Sequence, residues 1–161
     1  MSDLLDREGI LELLRQFGGE LVDRGLEADV YVVGGTAMVV AYDRLCLTQD
    51  VGAVGAEIEP DWFDDRIRLL PRVVDVDRVE AFSAPGISVS VASARHMLAM
   101  KVRAARDARD LSDIRLLSQE LRLDSIAAVL DIAKEVWGPD MIREENIFLV
   151  TEFLRDEGFR D

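Results

Sequence analysis

Asp29-Val30-Tyr31-Val32-Val33-Gly34-Gly35-Thr36-Ala37-Met38 decides the fold. A short β-branched and aromatic run reads as a strand, and it enters a pair of glycines without a linker. Glycines at such a junction make a tight turn, and Thr36 is placed to cap a short apolar helix from Ala37 to Tyr42. The unit is therefore strand, turn, helix.

Upstream, Ile10, Leu13, Leu14, Phe17 and Leu21 recur at the three-and-four spacing of a helix with one buried stripe, from about Leu4 to Arg24, and Gly25 ends it. Downstream, Thr48 to Val54 alternates like a second strand, with Thr48, Asp50 and Gly52 on one face. An acidic connection with Pro60 and Trp62 follows. Val73–Val76 and Val79–Ser83 are further strand candidates, and Pro85-Gly86 turns the chain into Ile87, Val89 and Val91, whose period of two predicts a hairpin partner.

Beyond residue 92 the pattern is helical. Ser93 caps a helix running to Ala105, Arg106-Asp107-Ala108-Arg109 breaks it, and Asp110 or Ser112 starts the next. Ser125–Val136 and a last helix around Ile147, Phe148, Phe153 and Leu154 flank a Gly138-Pro139 stop. The expectation is one α+β domain over residues 1–161: a small mixed sheet in about 28–92, packed by helices, and a helical part in about 94–161.

The chain has 161 residues, 49% hydrophobic and 32% charged, which excludes disordered and low-complexity classes. A lone cysteine, Cys46, predicts no internal disulfide and a reducing, cytoplasmic home. No apolar run is long enough to span a membrane, and the first residues carry acids where an export signal carries bases. The net charge of −13 opposes nucleic acid at long range. Between Arg95 and Arg115 the sign reverses: Arg95, Lys101, Arg103, Arg106, Arg109 and Arg115 face Asp107, Asp110 and Asp113. An RNA acceptor would need that local basic patch.

His96, the sole histidine, reads as a boundary residue rather than a triad member, and Cys46 as a packed thiol rather than a nucleophile. Two features stand out. The glycine turn brings backbone N–H groups to a helix N-terminus, where an anion is favoured, although taken alone it reads first as a tight turn that packs closely on the sheet. Lysine occurs only at 101 and 134, so Lys101 among Met97, Leu98, Met100 and Ala104 is a distinctive point charge suited to a phosphate oxygen. The alternative is a snorkelling lysine beside a salt-bridge network of Arg106, Arg109, Asp110 and Asp113.

Taken in order, Gly34-Gly35-Thr36-Ala37-Met38, Thr48-Gln49-Asp50-Val51, Leu98-Ala99-Met100-Lys101-Val102-Arg103-Ala104 and Arg109-Asp110-Leu111-Ser112-Asp113-Ile114 resemble the motifs of the AbiEii/MenT-like nucleotidyltransferases, of the DNA polymerase beta-like superfamily. The resemblance covers roughly residues 28–120. It implies a toxin–antitoxin protein that moves a nucleotide from a nucleoside triphosphate to an RNA or protein hydroxyl, using Mg²⁺. It also implies roles: Gly34, Gly35, Thr36 and Thr48 for the nucleotide, Asp50 for the metal, Lys101 for phosphates, and Arg109, Asp110 and Asp113 in support. A cognate antitoxin is the implied protein partner.

One position departs from the pattern. Two carboxylates at i and i+2 of a strand can hold the paired ions of a two-metal transfer, but the chain reads Asp50-Val51-Gly52. Glycine offers no ligand, so Asp50 alone would hold Mg²⁺ poorly and catalysis is in question. Asp75, Asp77 and Glu80 are the candidates for a third carboxylate. The competing expectation is a non-catalytic nucleotide- or partner-binding module of the same fold.

Overall fold

The computed structural model describes residues 6–42, 53–54, 71 and 73–161. The chain divides into a sheet unit, Met1–Leu70 with Asp77–Ala92, and a helical unit, Pro71–Val76 with Ser93–Asp161. The architecture is α+β.

In the sheet unit, α1 (Arg7–Asp23) starts where the Asp6 carboxylate accepts the Gly9 N–H at 2.8 Å. The sheet contains β1 (Ala28–Val32), β2 (Ala53–Val54), β3 (Val79–Ala84) and β4 (Ile87–Val91), in the order β2-β1-β4-β3. β1 runs parallel to β4, and the outer pairings are antiparallel. Strict alternation puts Val30, Val32, Ile87, Val89 and Val91 on one buried face, against α1 and α2 (Gly34–Ala41). Each such side chain contributes about 1.5–3 kcal/mol through burial. Ile10, Leu14, Phe17 and Leu21 supply the stripe of α1 that covers it.

Helix and hairpin meet at a pair of glycines. A methyl on Gly18 would stand 2.7 Å from the Pro85 carbonyl oxygen and from Ile87 Cγ2, and Gly86, at φ 79°, turns against the Gly18 backbone. The approach is closed to any larger residue.

The helical unit has α3 (Ala94–Ala104), α4 (Ala108–Glu120), α5 (Ile126–Trp137) and α6 (Glu144–Asp156), with a 3-10 turn at Pro139–Met141. α3 is its centre and touches the other three helices. Met97, Leu98, Val102, Ile114, Leu117, Val129, Val150 and Leu154 are completely buried. Two long polar side chains fasten α3: Trp137 Nε1 donates to the Ala99 carbonyl at 3.0 Å, and Asn146 Nδ2 to that of Ala105 at 2.7 Å. No helix among the described residues is long and apolar enough to cross a membrane.

Three boundaries differ from the sequence reading. Thr36 does not cap α2: the chain turns at Gly34, φ 70°, Val33 becomes the first flanking residue, and Thr36 is buried inside the first turn. Glycine makes that turn without help from a hydroxyl. α4 starts at Ala108 rather than at Asp110 or Ser112, because the Asp107 carboxylate accepts both the Arg109 and Asp110 N–H at 3.0 Å. Val73–Val76 is no strand. Asp75 is drawn into the helical unit, Val76 N–H bonds back to the Val74 carbonyl, and the segment closes on itself without a ladder. Of the expected Thr48–Val54 strand, only Ala53–Val54 falls within the described residues.

Candidate functional site: a buried lysine between two aspartates

α3 presents Lys101 from a helix whose neighbours Met97, Leu98 and Val102 are fully buried, and leaves the lysine only 8% exposed. Asp110 and Asp113 stand three residues apart on α4, so they share a face. Both meet the ammonium: Nζ lies 3.1 Å from Asp110 Oδ1 and 2.9 Å from Asp113 Oδ2. Asp113 has no exposed surface at all.

Removing these charges from water costs several kcal/mol per ion, which only close pairing offsets. At the rim, Arg106 Nε approaches Asp110 Oδ2 at 3.8 Å, so two cations balance two carboxylates. An ammonium carries three donors, and one of them bonds Asp110 Oδ1, while Asp113 Oδ2 meets the charge as an ion pair.

Asp107 shapes the edge of the cluster. Its carboxyl titrates below the ordinary aspartate range, chiefly because the Asp110 N–H donates to it. Desolvation opposes the shift, while the Arg109 N–H and the charges of Arg106 and Lys101 reinforce it. Arg109 itself is exposed, and its guanidinium makes no ion pair among the described residues.

The rest of the basic patch is largely occupied. Arg95 pairs with Glu135, Arg115 with Glu157 at 2.9 Å, and Arg103 stacks 4.3 Å from the Trp137 ring while donating to the Met141 carbonyl. Local basicity in the sequence is spent on intrachain pairs.

The glycine turn belongs to the sheet unit. Gly34 holds its left-handed conformation where an added methyl would meet no atom of the described residues within 4 Å. Gly35 is exposed, and no side chain caps the first turn of α2. Thr48, Asp50, Gly52 and Cys46 lie outside the described residues. Among the described residues, no group of three His, Cys, Asp or Glu side chains is placed to hold a metal ion.

The three candidates for a further carboxylate separate. Asp77 is exposed in the turn before β3, and Glu80 lies on β3. Asp75 is engaged in the helical unit, where Oδ2 accepts the Ser93 N–H at 2.8 Å and Oδ1 lies 3.3 Å from His96 Nδ1. His96 is not a boundary residue: it is 5% exposed, and its Nε2 sits 3.0 Å from the Val73 carbonyl. With both ring nitrogens engaged, its role is to fasten Val73–Val76 to α3. Sequence reasoning missed that pair, and a lone acid inside Val73-Val74-Asp75-Val76 was the available signal.

Compared with protein families, with curated proteins and with solved structures, the chain matches none.

Proposed function

We propose that the chain is a nucleotidyltransferase-like protein that binds a nucleoside triphosphate. The observation that carries this reading is that Lys101, Asp110 and Asp113, three of the five charged residues singled out by the motif resemblance, form one buried cluster in the helical unit. A generic surface lysine would not be held this way. In this reading a further donor of Lys101 serves a phosphate oxygen, Asp110 and Asp113 orient the ammonium, and Arg109 supplies exposed positive charge. Gly34, Gly35 and Thr36 serve the triphosphate through backbone N–H groups at the start of α2, Thr48 assists, and Asp50 carries Mg²⁺. In a toxin–antitoxin setting, the charge of −13 suits a basic antitoxin, while an RNA acceptor would be met at Arg109.

Gly52 favours a second version of the reading, in which the fold binds nucleotide without transferring it. Calorimetric titration of the four ribonucleoside triphosphates, with and without Mg²⁺, tests both. Binding strengthened by Mg²⁺, together with transfer gained on Gly52→Asp, supports an enzyme whose second carboxylate was lost. Metal-independent binding with no gain in Gly52→Asp supports the module, and no binding of any triphosphate rejects both.

A further inference from the structure

The face of the sheet opposite α1 and α2 is polar, and its register is informative. Tyr31 of β1 stands beside Ser90 of β4, which stands beside Glu80 of β3, and Asp29 stands beside Ser88 one row further along. With Arg78, these side chains line a cavity of about 240 Å³. It lies entirely within the sheet unit.

Asp29, Arg78 and Glu80 are all exposed, and among the described residues none of the three makes an ion pair or a side-chain hydrogen bond. Charges of both signs therefore line one small cavity without neutralising each other. Arg95, Lys101, Arg115, Arg155 and Arg160, by contrast, all have acidic partners.

The chemistry narrows the occupant. Two carboxylates disfavour a polyphosphate, and a guanidinium in the same lining disfavours a bare metal ion. The volume falls below the roughly 300–1,000 Å³ typical of sites for drug-sized ligands. A compound that itself carries both charges satisfies every group: a guanidinium matches a carboxylate bidentately, while carboxylates accept from an ammonium. The Ser88 and Ser90 hydroxyls donate or accept as needed.

We propose that this open face binds a small zwitterion of free-amino-acid size, with its carboxylate on Arg78 and its ammonium on Asp29 and Glu80. The site is separate from the nucleotide reading and stands if that reading fails.

Calorimetric or NMR titration of the intact chain with the standard free amino acids tests it. At least one binds with a millimolar or tighter Kd, and its N-acetyl and amide derivatives each bind roughly tenfold more weakly, a loss of about 1.4 kcal/mol. Arg78→Gln abolishes the preference for the acid over the amide. Asp29→Asn with Glu80→Gln abolishes the preference for the free amine over its N-acetyl form. Absence of binding by every amino acid at about 10 mM overturns the proposal, and so does an acid-to-amide ratio unchanged by Arg78→Gln.

Discussion

One charged cluster in each unit is handled differently. In the helical unit, Lys101 is shut between Asp110 and Asp113, and Arg95, Arg103 and Arg115 each have an intrachain partner. On the open face of the sheet, Asp29, Arg78 and Glu80 line one cavity and pair with nothing among the described residues. A count of cations along the sequence points to the helical unit as the place where ligands meet charge. The structure shows that most of those cations hold helices together, whereas the less conspicuous sheet face retains charge to offer.

That contrast can be broken most sharply at Asp113. Asp113→Ala leaves a buried ammonium with one close partner and should cost about 3–5 kcal/mol in chemical denaturation. Lys101→Met with Asp110→Leu and Asp113→Leu should recover most of it, because apolar replacement of a buried ion cluster is often neutral or stabilising. A loss below about 1 kcal/mol for Asp113→Ala would place the cluster among solvated surface pairs.

Next in size is the close approach of α1 to the hairpin at Gly18. Gly18→Ala drives a methyl against Pro85 and Ile87 and should cost about 1–3 kcal/mol, measured the same way.

Asp107 sharpens the account through pH. Its folded-state pKa is depressed, so the stability it contributes is present above the ordinary aspartate value of 3.8 and is lost as pH falls through the lower folded value. The difference between the native chain and Asp107→Asn, followed by circular dichroism against pH, should therefore be constant near neutrality and shrink in acid.

The smallest effects belong to exposed charge. Arg115→Ala removes an exposed pair and should cost less than about 1 kcal/mol. Arg78→Gln should lie within about 0.5 kcal/mol of the native chain, because its charge supports no pair among the described residues. A large loss at Arg78 would show that the sheet face is structural after all.

What the sequence disclosed follows from the range of each interaction. The β1-to-α2 junction, the Ser93 cap and the β3–β4 hairpin are local patterns, and the structure has all three. α4 starts earlier than expected because Asp107, Asp110 and Ser112 can each cap a helix, and only backbone geometry selects one. Val73–Val76 has strand composition, but a strand needs a ladder partner, and the Asp75 contacts with Ser93 and His96 hold the segment in another conformation. At the site, motif spacing brings Lys101 and Asp110 to notice. The face bearing Asp29, Arg78 and Glu80 is not legible in the sequence, because these residues meet only once β1, β4 and β3 have paired.

Gly35 gives the most direct test of nucleotide binding. It is exposed in the first turn of α2, where an added carboxylate favours the helix electrostatically yet repels phosphate. Titration of nucleoside triphosphates into the native chain and into Gly35→Asp, with thermal unfolding of both, should show binding to the native chain, at least tenfold weaker binding to the variant, and a melting temperature no lower. Equal affinity in the two proteins, or no binding to the native chain, would contradict the account.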